Sequence, residues 1–136
     1  MNARRLLKLA EHLETGKLGH KIFDFDHINY GKRDERGCGT NGCAIGELPI
    51  VFPRSFKFHT YENIHWDGDL TYIPNSGLSA FPAAEDFFGI SSDETEKLFC
   101  PYGNDGEEWG KLLDNGATRK QVAKNIRAFV AWKQSQ

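Results

Sequence analysis

A helix-rich α+β domain with one small antiparallel sheet is the fold that this 136-residue sequence predicts, and three observations carry the prediction. Helical apolar spacing marks both ends of the chain. Two-residue alternation marks the stretches near Phe23 and around Asp67-Gly68. No repeat, low-complexity tract or linker separates these regions, so residues 1–136 are read as a single globular domain.

The first element is a helix of about three turns. Asn2 can cap it, Leu6, Leu9, Ala10 and Leu13 share one face, and Gly16 can close it. Arg5, Lys8, Glu11 and His12 belong to the wetter side. From His20 to Tyr30 the period changes to two, with Phe25 between Asp24 and Asp26, which predicts a strand. Gly31 to Gly37 reads as a polar loop.

In the next stretch, CGTNGCAIGELP, Thr40 is positioned to cap a short helix through Cys43, Ala44 and Glu47, which Pro49 should end or kink. Phe56 and Phe58 then alternate with Lys57 and His59. Ile64 and Trp66 approach an Asp67-Gly68 turn, and Leu70 and Tyr72 leave it, which is a hairpin signal.

After Pro74 the pattern is helical to the end, for five or six helices in all. One helix runs from Pro82 to Phe88 and stops at Gly89. Ser91 and Glu94 form a capping box for a second, which carries Leu98 and Phe99. A weaker helix covers Glu107 to Leu113. The last has a Thr118–Gln121 capping box and an apolar face of Val122, Ile126, Phe129 and Val130. Trp66, Phe87, Phe88, Leu98, Phe99, Ile126 and Phe129 are the expected heavy contributors to the core.

A net charge of −2 supplies no field to recruit nucleic acid or anionic lipid over the whole molecule. The basic groups Arg4/Arg5/Lys8 and Lys32/Arg33/Arg36 read as solvated surface. No apolar run is long enough for a membrane span, and the interleaved charges at the start do not form a secretory signal. Three cysteines make an odd count for a secreted disulfide framework, so a cytoplasmic protein with free thiols is expected.

Two stretches carry a resemblance. Cys38 to Pro49 fits a Cys-Gly-Thr-x-x-Cys-Ala-x-Gly signature, and Ala83 to Phe99 is followed in order by the TRKQVAKNI helix. The chain thus resembles a family of small uncharacterised proteobacterial and phage proteins. That resemblance implies a bacterial or phage source and no particular mechanism.

Cys38 and Cys43 are the sharpest chemical candidates. A thiol at the first turn of a helix meets unpaired N–H groups that favour thiolate, and His59 or His65 on the hairpin can serve as its base. The competing expectation is that both cysteines pack beneath the glycine turn, as buried cysteines commonly do.

Cys38, Cys43 and Cys100 with one histidine lack the paired knuckle of a zinc site, so no metal is expected. Asp24, Asp26 and His27 read as the solvent face of a strand, and Asn104 to Glu108 lacks the ligand spacing of a calcium loop. The GATRKQVAKNIRAF helix is followed by no recognition helix, which argues against DNA reading. With no nucleotide loop or cofactor fingerprint, the expected function is non-enzymatic, through binding a macromolecule, with protein as the partner and no cofactor. The alternative is a thiol-dependent enzyme with Cys38 or Cys43 as nucleophile and His59 or His65 as base.

Overall fold

The structure of the protein is a computed structural model. It describes residues 1–18, 22–23, 30–33, 40–42, 44–62, 67–99 and 118–136, with side chains over 1–18, 44–57, 71–99 and 118–136. Helix α1 spans Ala3–Thr15. The Asn2 side chain accepts from the Arg5 backbone N–H, and Leu6, Leu9, Ala10 and Leu13 are fully buried. Gly16 ends the helix at φ +74°, a left-handed conformation that favours glycine. A Cβ there would stand 3.0 Å from the Arg119 guanidinium. That guanidinium donates to the Leu13 and Glu14 carbonyls at 2.6 and 2.9 Å, satisfying the last turn with a cation.

The sheet contains β1 (Ile22–Phe23), β2 (Tyr30–Arg33), β3 (Thr40–Gly42), β4 (Lys57–Glu62), β5 (Asp67–Ile73) and β6 (Leu78–Ser79). Its order is β1-β3-β2-β5-β4, and β6 also pairs with β5. All pairings are antiparallel except β1 with β3. The α+β class is therefore as expected, but the Phe23 strand pairs in parallel with β3 and reaches the hairpin only through β3 and β2. Residues 24–29 of the strand expected from His20 to Tyr30 lie outside the described residues.

Several local expectations are corrected. Gly31 to Arg33 are strand rather than loop, because they pair with β3 and β5. Thr40 is likewise in a strand and caps no helix. Helical backbone begins after Ala44, as a 3-10 turn (Ile45–Glu47) that runs into α2 (Leu48–Val51). Pro49 sits in the first turn of α2, where its missing N–H costs nothing, so it starts a helix instead of ending one.

Asp67-Gly68 is not the hairpin turn. Glu62 faces Asp67 and Tyr61 faces Gly68, so both residues belong to β5 and the connection is 63–66, outside the described residues. Nor is the chain purely helical after Pro74. Residues 74–77 form a turn with Asn75 at φ +64° and Gly77 at φ +72°, and β6 returns along β5. The Ser76 hydroxyl holds this turn by donating to the Ile73 carbonyl and accepting from the Leu78 N–H.

Helices α3 (Ala80–Phe88), α4 (Ser92–Phe99) and α5 (Arg119–Gln134) follow. Gly89 ends α3 at φ +64°. The Ser91–Glu94 capping box is formed, with hydrogen bonds of 2.9 and 3.1 Å. The Thr118–Gln121 box has bonds of 2.8 and 3.2 Å. Burial pushes the Glu94 carboxyl up, but hydrogen bonds from Lys133 and Ser91 outweigh it and hold the group below its ordinary range. The Lys133 contact also ties α4 to α5. The segment Glu107 to Leu113, and Trp66, lie outside the described residues.

The core joins the buried faces of α1, α3, α4 and α5 with Ala44, Ile45, Leu48, Val51 and Phe56. A run of aromatic rings crosses it. Phe87 meets Phe52, Phe56 and Phe88 edge-on at 4.7, 4.8 and 5.3 Å, and Phe88 stacks on Phe99 at 6.2 Å. Phe129, Ile126 and Val122 are fully buried, so the apolar face of α5 is covered by this chain itself.

Candidate functional site: a trough between α1 and α2

The burial of Ala44 to Pro49 decides what α1 and α2 can display. Six consecutive buried residues include one carboxylate, Glu47, whose exposure is 0%. A buried carboxylate needs hydrogen-bond partners to offset its lost hydration. His12 supplies one: its Nε2 donates to Glu47 Oε1 at 2.8 Å. The His12 side chain is 15% exposed, so it spans from the core to the surface. The arrangement also pins the 3-10 turn against α1. A second tie runs from the sheet, where the buried Thr71 hydroxyl donates to the Ile45 carbonyl at 3.2 Å.

His12 lines a shallow hollow of about 300 Å³ with Lys8, Glu11, Thr15 and Val51. A second hollow of about 370 Å³ continues it past Lys8 and Val51 to Phe52, Arg54 and Ser55. A third, of about 420 Å³, shares Arg54 and Ser55 and reaches Arg5, Pro74, Asp86 and Phe87. The shared lining residues make the three one trough along α1. Arg5, Lys8, His12 and Thr15 line it at offsets 0, 3, 7 and 10, a single helical stripe.

The cations of the trough are placed by aromatic rings. The Arg5 guanidinium lies 4.1 Å from the Phe87 ring centroid and donates to the Phe87 carbonyl at 2.8 Å. The Lys8 ammonium lies 5.3 Å from the Phe52 centroid. Among the described residues Arg5, Lys8 and Arg54 have no carboxylate partner, whereas Arg127 pairs with Glu14, Lys133 with Glu94 and Lys97 with Asp93.

Of the candidates drawn from sequence, Cys38, Cys43 and His65 lie outside the described residues, as do Cys100, Asp24, Asp26, His27 and the Asn104 to Glu108 stretch. His59 occupies β4 opposite Leu70, and its side chain lies outside the description. The two residues that the structure does bring together, His12 and Glu47, lie by spacing on a wet helix face and in a short predicted helix. The available signal was a lone carboxylate inside the apolar run Ala44 to Val51. Among the described residues no cluster of histidine, cysteine, aspartate or glutamate could hold a metal ion. No described helix is long and apolar enough to cross a membrane. No family model, curated protein or solved structure matches the chain.

Proposed function

We propose that this protein is a non-enzymatic accessory protein of bacterial or phage origin that works by binding another protein through the α1–α2 face. The observation that carries the reading is exposed apolar surface on α2 and in the adjoining trough, together with trough cations that have no carboxylate partner among the described residues. Ile50 is 44% exposed on a turn whose neighbours Pro49 and Val51 are buried, and Phe52 in the adjoining trough is only partly covered. An apolar patch rimmed by polar and charged groups is the composition of a protein interface.

A photo-reactive amino acid in place of Ile50 tests this in the native host. The expected result is a discrete cross-linked adduct with a second protein that is absent when the same group replaces Lys124, an exposed residue on α5. Equal adducts from both positions, or none from position 50, would sink the reading.

One observation favours a second reading, a thiol-dependent enzyme. A histidine oriented by a buried carboxylate is the arrangement that activates a nucleophile in acyl transfer. Glu47 follows Cys43 by four positions in sequence. On this reading His12 takes the base role assigned from sequence to His59 or His65. Its test is the alkylation rate of the native thiols by iodoacetamide. Fast labelling at neutral pH that slows about tenfold or more in His12→Ala would favour the enzyme. Slow labelling that accelerates only on unfolding would reject it.

A further inference from the structure

We infer that the trough along α1 receives an extended acidic segment of a partner protein. This rests on the protein-binding reading above and names the chemistry of the partner. From Arg5 to Thr15 the lining stripe rises about 15 Å, a distance that an extended strand covers in about five residues. A helix about 10 Å across would sit on such shallow hollows rather than in them, whereas a single extended chain can follow them.

Arg5, Lys8 and Arg54 line successive parts of the trough and none answers to a carboxylate among the described residues. Arg5 uses one of its donors on the Phe87 carbonyl, and the rest of its fork remains for a ligand. The rings of Phe87 and Phe52 beneath Arg5 and Lys8 hold the two cations in place, which lowers the entropy lost when an anion binds.

The rest of the lining separates an acidic peptide from a polyanion. Phe52, Ile73 and Pro74 contribute partly exposed apolar surface beside the cations, and Glu11 and Asp86 stand at the trough walls. A continuous phosphate backbone would leave that apolar surface unmatched, while a strand alternating acidic and apolar side chains can present one set to the cations, clear of the two carboxylates, and the other to the apolar surface.

The probe is a fluorescein-labelled peptide of nine residues that alternates aspartate with leucine and phenylalanine, followed by anisotropy with the full-length protein. The expected result is saturable binding that weakens about tenfold or more when asparagine replaces the aspartates. A comparable loss is expected in the Lys8→Glu, Arg54→Glu double variant, with Lys124→Glu within about twofold of the parent. Lys8 and Arg54 are exposed, and a melt matching the parent's shows that the double variant is folded.

Equal binding of the asparagine peptide, an equal loss in Lys124→Glu, or tighter binding of single-stranded oligonucleotide or phosphatidylserine vesicles would overturn the proposal. An adduct from position 50 together with indifference to the acidic peptide would overturn the acidic occupant and leave protein binding standing. Failure of both would remove the face as an interface.

Discussion

Phe129→Ala is expected to lower the stability of the folded protein by about 3–5 kcal/mol. Phe129 is 0% exposed on α5 and its ring lies 6.2 Å from Trp132. Truncation would remove the transfer free energy of a whole aromatic ring and leave a cavity that packed helices fill only in part. Such a loss is a large share of the roughly 5–15 kcal/mol that holds a domain folded, so the melting temperature should fall by more than about 10 °C. Thr118→Ala, which deletes half of the capping box on the same helix, should cost only about 1 kcal/mol. Thermal melts of both variants beside the parent make the comparison. A Phe129 variant as stable as the parent would show that the α5 face is not part of the core.

That face was legible in the sequence for a physical reason. Its spacing, its cap and its burial all arise within one helix, so local pattern and tertiary outcome agree. The same holds for α1, where Asn2, the Leu6–Leu13 face and Gly16 each occupy the expected role. It holds again for the Ser91 cap. Strand assignments were less secure because pairing is decided by residues far away in the chain. Gly31 to Arg33 look like a polar loop by composition, yet Gly31 pairs with Asp69 in the distant β5, and Lys32 and Arg33 pair with Asn41 and Thr40 in β3. Asp67-Gly68 has the chemistry of a tight turn, but Glu62 and Tyr61 supply partners for it and continue the ladder.

The site was the least legible part. His12 follows Glu11 on what spacing marks as the wet side of α1, and nothing local places it beside a residue 35 positions away. The trough is likewise a product of packing. Arg5 and Lys8 read as solvated charges until the rings of Phe87 and Phe52 are brought beneath them. Helical spacing does put Arg5, Lys8, His12 and Thr15 on one stripe, but it does not say what that stripe faces.

His12→Ala is expected to cost about 3 kcal/mol, the second largest effect. Glu47 has no exposed surface, so it has lost its hydration and depends on the donors around it. Truncating His12 removes one of those donors at 2.8 Å without returning the carboxylate to water. The penalty is therefore that of leaving a fully buried acceptor short of a donor, which exceeds the net worth of an ordinary hydrogen bond of about 1 kcal/mol. His12→Gln is the informative companion, because its side-chain amide nitrogen can donate from near the position of Nε2. It should recover more than half of the loss if the donor matters, and nothing if the imidazole is only filling space. Urea unfolding of parent, His12→Ala and His12→Gln at neutral pH measures all three, with unchanged m-values confirming that the folded and unfolded states are comparable. A His12→Ala variant within about 0.5 kcal/mol of the parent would mean that the other contacts of Glu47 suffice, and the histidine would then be available for chemistry without a structural role.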